Sequence, residues 1–521
     1  MTTPTRRRVR WLLAFSAFVA LGLPWLLGSP PFFGADEGDI ARRAAAVAEG
    51  EWTGEKVPGV DYIVTVTVPG AFGVAAGDQA ACWADYPLPE ARVPVFPPPE
   101  ATCPRWDPPN RPEQTTTVQY RGQPFVFGVV GLAGRLAPNR WAPTAQRVAL
   151  LLATAALLAS AAGSALGSRR PKLAGALLLA SWAPATVFLS ATTNPSALEV
   201  AAALGAWLAA ARLATDDEVE DRLLHRFGVA ALVLTLGRGL GPGFLAMIVA
   251  VAAVLAGAGR CRDLIGRRVV WAWAAGLGAA SAVSAAWVLW IQREFPLAPN
   301  TGVGALDAVS RLPWYLRQMT GVFGSNTVAL PAAATWLWWV LAGAVFVVAL
   351  LSASARGRVA AVAVLVGGLA LNVSASGLVI PNIGFYWQGR YSLPALLGGF
   401  AIAAVTAGTG RSTAAPAVAA ERATPFVVGT AVAGFAVLHV AGFLRMASFA
   451  AGRTDLLPLA DVLRGDGWQP PLGFSALTVL LVVGVALVLV ATIAPTLVPA
   501  GEIDPPVPAQ TSDDTDPRAE R

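Results

Sequence analysis

Histidine and cysteine are nearly absent from this chain. Among 521 residues there are two histidines, His225 and His439, and three cysteines. No Cys–His spacing of the kind that holds zinc is present. Charge is scarce as well: 13% of residues are Asp, Glu, Lys or Arg, where soluble domains carry nearer a quarter. The chain is instead 55% hydrophobic, with a mean hydropathy of +0.57. Many runs reach the roughly 20 apolar residues needed to cross about 30 Å of hydrocarbon. These features exclude an ordinary soluble domain and predict an all-α polytopic membrane protein. Several of the 18 tryptophans, among them Trp11, Trp25, Trp182, Trp290 and Trp336, fall near the ends of apolar runs, where amphipathic rings settle.

The net charge is +6, nearly all of it from arginine. The arginines cluster in short stretches between apolar runs, as the positive-inside rule produces. They mark orientation, and no nucleic-acid partner is expected. Cys82 and Cys103 follow the first apolar run, and a disulfide between them is expected if that region is extracytoplasmic. Cys261 lies in an arginine-rich loop and reads as an unpaired cytoplasmic thiol. The stretch Arg6-Arg7-Arg8-Val9-Arg10 and the apolar run to Leu27 look like a signal peptide, yet no clean small-residue cleavage site follows. The run reads as an uncleaved first helix with its N-terminus inside.

The expected organisation is a first helix in 1–28, an extracytoplasmic loop with short helices over 29–141, a multipass domain over 142–498, and an acidic, proline-rich, disordered cytoplasmic tail over 499–521. About twelve spans are expected: 11–28, 142–166, 173–191, 195–213, 227–238, 241–258, 269–291, 332–352, 359–376, 391–409, 425–446 and 473–498. The apolar run 125–136 is too short to span and reads as interfacial or re-entrant. In the loop, a short helix is predicted from Asp36 to a stop at Gly50, and 62–68 is strand-like through its β-branched residues. The rest reads as irregular. With twelve spans, the basic segments 169–172, 212–226, 260–268, 356–358 and 411–422 all fall inside. The opposite ends carry Asp36-Glu37, Thr192-Thr193-Asn194-Pro195, Gly237-Arg238-Gly239, 321–331 and Gln388-Gly389-Arg390-Tyr391.

Each of these polar ends has a structural reading and a chemical one. Asp36 is either a helix N-cap with Asp39 completing the pattern, or a general base near the headgroups. Glu37 shares that role, joins Asp36 at a metal, or faces water. Arg390 either anchors the interface by snorkelling or grips a phosphate with its fork, with Gln388 and Tyr391 adding hydrogen bonds. Arg238, between glycines in a broken helix, has the same two readings, since broken backbone at membrane depth is tolerated where it lines a cavity. Asn194-Pro195 fits an N-cap with Pro at the first helical position. The segment Gly321-Val322-Phe323-Gly324 reads as a turn and lacks the ending of a phosphate loop.

Taken together, Ala35-Asp36-Glu37, 190–195, Gly321-Val322-Phe323-Gly324 with Leu330-Pro331, and Gln388-Gly389-Arg390-Tyr391-Ser392-Leu393-Pro394 resemble a bacterial family of membrane proteins of unknown function placed near the GT-C glycosyltransferases. The resemblance covers roughly residues 30–400. It implies a GT-C-like fold, a polyprenyl-phosphate sugar donor, a saccharide or lipid acceptor of the cell envelope, and chemistry on the outer face of the plasma membrane. It implies Asp36, with Glu37, as the catalytic acid pair of the first outer loop. It also adds Arg43 to the candidate phosphate-binding set of Arg390, Tyr391, Gln388, Arg238 and Asn194. Ala35 and Ile40 stand where the family usually carries Pro and His. No cofactor is required by such a transfer, and a divalent metal is left open. The competing readings are a flippase for lipid-linked saccharides and a non-catalytic envelope assembly protein.

Overall fold

A computed structural model describes residues 3–84, 106–294, 305–383, 387–410, 415–452 and 458–493. The twelve apolar runs all form helices, but fewer are long enough to cross a bilayer. Among the described residues nine helices qualify by length and composition, or ten if one bent pair counts as a span. That pair is Pro171–Ser181 and Pro184–Ser190, which bend by 69° where Trp182 and Ala183 leave the helix ahead of Pro184. Proline cannot continue the ladder behind it. Two other helices fall short. Leu393–Thr406 has 14 residues, roughly 21 Å at 1.5 Å per residue, and Asp221–Gly237 has 17. Of the roughly twelve expected spans, nine or ten are therefore found among the described residues by length and composition, and the remaining apolar runs form shorter helices.

One helix organises the bundle. Pro195–Thr215 is buried along almost its whole length. It packs against Ala142–Ala165, Asp221–Gly237, Gly241–Ile265 and Leu393–Thr406. Alanines dominate its surface, with Ala201, Ala202, Ala203, Ala206 and Ala209 fully buried. Small side chains let membrane helices approach closely. Trp207 supplies the bulk, packing on Gly398 and donating from Nε1 to the Pro394 carbonyl at 2.9 Å. The first helix, Thr3–Gly28, lies against Gly473–Ile493 and Ala142–Ala165. The outward faces of Gly473–Ile493 and Ala332–Leu351 are aliphatic, with Val479, Val482, Leu337 and Val340 exposed, as a lipid-facing surface requires.

The region between the first two long helices is more ordered than its prolines suggest. Glu37–Ala48 is a helix, as expected, and Val60–Pro69 is a strand. Two further strands, Glu55–Val57 and Pro112–Thr117, flank it in a three-stranded antiparallel sheet. This corrects the irregular reading of that stretch. Buried Val64, Val66 and Val68 turn one face of the sheet towards Ala41 and Ala45 of the Glu37–Ala48 helix. The apolar run 125–136 is the helix Pro124–Leu136. Cys103 and the side chain of Cys82 lie outside the described residues, so the disulfide expectation does too. Cys261 is a free thiol.

The basic loops gather at one end of the bundle. Arg7 pairs with Glu220 at 2.9 Å, Arg169 with Asp217 at 3.3 Å, Arg170 with Glu421 at 3.2 Å and Arg267 with Asp221 at 3.2 Å. The first helix runs from this end through 26 residues, roughly 39 Å, to the segment that carries Asp36. The arginine loops and the polar ends are therefore opposite faces of one bundle, whatever the number of complete spans.

Candidate active site

Asp36 sits on a turn that its own sequence does not favour. Its backbone is left-handed, φ 57° and ψ 11°, and Phe32 four residues earlier has φ 58°. For a non-glycine residue that costs about 1 kcal/mol or more, so the surroundings must enforce it. They do so through Glu37. Arg147 donates to both Glu37 carboxylate oxygens, from Nε at 2.7 Å and Nη2 at 2.8 Å. The same guanidinium donates to the carbonyls of Ser29 at 2.9 Å and Pro30 at 2.7 Å. Glu37 also accepts from the backbone N–H of Gly34 at 2.9 Å and of Thr193 at 2.7 Å. The Arg147 and Glu37 side chains are both buried, at 6% and 1% exposure. Asn194 completes the clamp by donating from Nδ2 to the Ala35 carbonyl at 2.9 Å. Gly34 permits the approach, because a Cβ there would stand 2.8 Å from Thr192 Cβ.

Held this way, the Asp36 carboxylate makes no capping bond. It accepts from Arg390 Nη2 at 2.6 Å and from Gln388 Nε2 at 3.5 Å, across 354 and 352 positions of sequence. Asp36 is 38% exposed and Arg390 only 6%: an accessible acid over a buried cation. Arg390 lies on a short 3-10 turn, Gly389–Tyr391, just ahead of the 14-residue helix. Gly389 is required there, because any Cβ would collide with the Tyr315 carbonyl. Gln318 fixes the turn by accepting from the Gly389 N–H at 2.8 Å. Arg390 also donates to the Tyr391 hydroxyl at 3.3 Å. The Tyr391 ring has the Arg238 guanidinium 4.1 Å from its centroid. Arg238, at the break between Asp221–Gly237 and Gly241–Ile265, donates to Ser196 Oγ at 3.0 Å and faces Glu199 at 3.8 Å.

The site thus brings together Asp36, Gln388, Arg390, Tyr391 and Arg238 from the expected set. Below them a narrow cleft is lined by Ala35, Gln318, Asn326, Gln388 and Arg390, with about 10 Å³ of room, close to one water. Two buried polar atoms on its wall have no hydrogen-bond partner, Arg390 Nε and Gln388 Oε1. The floor is aromatic: Trp25, Phe33, Phe188 and Phe323 pack with ring centroids 5.1 to 6.0 Å apart.

Three expected residues are found elsewhere in the arrangement. Glu37 is enclosed by Arg147 and two backbone N–H groups. Asn194 is the N-cap of Pro195–Thr215, accepting from the Ser196 N–H at 3.0 Å, and its amide braces the Asp36 turn. Arg43, fully buried two turns along the helix, donates to the carbonyls of Gly122 at 3.2 Å and Glu51 at 3.4 Å. Its guanidinium does not reach the cleft, and burial pulls its pKa down to about 10. Two residues were not anticipated, Arg147 and Glu199. Each is a lone ionisable side chain in a long apolar run, a signal that by itself points to function or to a fixed partner. Among the described residues, no group of three or more His, Cys, Asp or Glu side chains is gathered for a metal.

Asp39, outside the spans, has its carboxyl raised above the ordinary value by burial, with Arg42 opposing and the Asp36 charge adding to the rise. A raised native value means the folded state holds the proton more tightly than the unfolded one. Stability should therefore increase as pH falls through the native value towards the ordinary 3.8. Asp39→Asn is expected to remove that slope, which a series of thermal midpoints between neutral and mildly acidic pH reads directly. An unchanged slope would show that other groups govern it.

A family described as predicted membrane protein, DUF2142, matches residues 19–398. No curated protein matches the chain significantly. Two crystal structures of ArnT from Cupriavidus metallidurans, one bound to undecaprenyl phosphate and one in the apo state, are similar at 15% identity. They cover 92% and 93% of this chain and 77% and 78% of their own, with TM-scores of 0.44 and 0.45. At that level the likeness carries no inference about this chain.

Proposed function

The chain belongs to the DUF2142 family of predicted membrane proteins, and from that premise we propose that it is a membrane glycosyltransferase of the GT-C kind, using a polyprenyl-phosphate sugar as donor. One observation carries the proposal: a partly exposed carboxylate on an enforced turn, 2.6 Å from a buried arginine that still has an unpartnered donor. The two groups suit the two ends of a sugar transfer. Asp36 accepts the proton of an acceptor hydroxyl, whose oxygen then attacks the anomeric carbon. The bond from that carbon to the phosphate oxygen breaks, and its electron pair leaves with the polyprenyl phosphate. Arg390 offers Nε to a phosphate oxygen while Nη2 stays on Asp36, so charge growing on the leaving group meets a fixed cation. Arg238, stacked on Tyr391, extends the cationic wall. Glu37 and Asn194 act on posture and touch no substrate.

The positive-inside rule assigns the arginine-loop end to the cytoplasm and the Asp36 end to the outer face of the plasma membrane, with the acceptor in the cell envelope. The cleft has room for little more than a water, so the wall made by Gln388 and the Val322–Phe323 and Val328–Ala329 hairpin must open for a sugar to enter.

Proteoliposomes given polyprenyl-phosphate sugars and envelope acceptors test the reading. Release of polyprenyl phosphate with appearance of a glycosylated acceptor is expected. Arg390→Lys loses the planar fork and should raise the donor KM about tenfold or more. Movement of intact lipid-linked sugar across the bilayer by wild type and by an Asp36 variant alike, with no bond broken, would make the protein a flippase and end the enzyme reading.

A further inference from the structure

The arginine-loop end holds a second cavity, of about 740 Å³, that plays no part in the proposed transfer. The N-terminal part of the first helix, the end of Ala142–Ala165, and the start of Asp221–Gly237 enclose it. Five arginines line it, Arg7, Arg10, Arg212, Arg222 and Arg226, with four carboxylates, Asp216, Asp217, Glu218 and Glu220. Three of the carboxylates are engaged. Glu220 accepts from Arg7 at 2.9 Å, Asp216 pairs with Arg212 at 2.5 Å, and Asp217 faces Arg169 outside the cavity at 3.3 Å. Glu218 alone remains to set against Arg10, Arg222 and Arg226, and among the described residues none of those three has an ion-pair partner. The charged neighbours of Arg226 are Arg7, Arg212, Arg222 and one carboxylate, Glu220.

Five arginines meet four carboxylates in this cavity, and Arg10, Arg222 and Arg226 share only Glu218 and the already paired Glu220, which leaves a net positive charge that an added anion would balance. The backbone makes room for the arginines. Gly163 and Gly167, one turn apart at the end of Ala142–Ala165, carry the guanidinia of Arg226 and Arg212. A Cβ at Gly163 would come within 2.9 Å of Arg226 Nη2, and one at Gly167 would strike Arg212. The rest of the lining is apolar. Trp11, which donates to Ser160 Oγ at 3.2 Å, shares this part of the lining with Ala14, Ala162 and Ala491. A cationic head above an apolar slot matches an amphiphile, and basic pockets between membrane helices on the cytoplasmic side hold acidic headgroups.

We propose that this cavity binds a phosphate ester, that of an anionic phospholipid headgroup whose chains run down the Trp11 and Ala491 wall. The experiment uses the full chain in neutral detergent, with thermal midpoint and native mass spectrometry as readouts. Short-chain phosphatidylglycerol should raise the midpoint, while zwitterionic phosphatidylcholine should not. The Arg222→Gln/Arg226→Gln variant should need about tenfold more phosphatidylglycerol or above for the same rise, and Arg226→Lys should keep most of the effect. Arg10→Gln, at an exposed and unpaired position, reports on the same cavity if the double variant does not fold, and should weaken binding several-fold. Inorganic phosphate separates the sources: no rise with phosphate assigns the site to a lipid, and a rise lost in the variants assigns it to phosphate from solution. Equal phosphatidylglycerol affinity in wild type and every folded variant, or no rise with either probe, overturns the proposal. Because these residues lie at the opposite end from Asp36, the outcome is independent of sugar transfer.

Discussion

Asp36→Asn is expected to lower sugar transfer by about 10²–10⁴-fold while yield, membrane insertion and thermal midpoint stay near wild type. The geometry separates chemistry from folding at this residue. The left-handed turn is enforced by contacts to Glu37 and Ala35, which the substitution does not touch. An asparagine carbonyl still accepts from Arg390, so the buried guanidinium keeps a partner. What disappears is the ability to take a proton. The relevant measurement pairs initial transfer rates with midpoints of the same preparations. Wild-type turnover by a well-folded Asp36→Asn protein would remove Asp36 from the chemistry. Equal losses of rate and midpoint would make it a structural residue.

Arg147→Met is expected to do the reverse. Glu37 would be left 1% exposed without its cation, and the carbonyls of Ser29 and Pro30 would lose their donor. Removing one partner of a buried pair costs about 3–5 kcal/mol, a large share of the roughly 5–15 kcal/mol that keeps a typical domain folded. Low yield and a much lower midpoint should result, detectable by tryptophan fluorescence during heating. The double variant Arg147→Met/Glu37→Gln removes both charges of this pair and should recover part of the loss. A single Arg147 variant with an undisturbed midpoint would mean that the pair does not secure this turn.

How much of this was legible beforehand divides along physical lines. Hydropathy reports whether a segment can live in hydrocarbon, and it located every long helix in the multipass region. It does not report where a helix must stop. The stops come from Pro184, from Gly408 at φ 83° beyond the 14-residue helix, and from the three-residue break at Arg238. The strand Pro112–Thr117 reads Pro-Glu-Gln-Thr-Thr-Thr and has no apolar alternation to reveal it. It exists because the hydrogen-bonding edge of Val60–Pro69 is there to pair with. Asp36 and Arg390 were visible as polar residues at helix ends. The partner of Glu37 was not, since Arg147 is 110 positions away and nothing local selects it over other arginines. Arg43 illustrates the opposite failure. Suggested by the family resemblance alone, it sits seven residues after Asp36, roughly 10 Å further along the helix, and its guanidinium meets the carbonyls of Gly122 and Glu51 instead of the cleft.

The clamp on the Asp36 turn has a temporal consequence. Its ties reach Arg147, Thr193 and Asn194, the farthest 159 positions on. During synthesis the acid is therefore made early and acquires its posture only after several later helices have entered the bilayer and packed. An incomplete chain lacks the partners that hold this turn and has no Arg390 for Asp36 to meet. If the proposed transfer is this protein's reaction, its site is complete only once the whole bundle has assembled.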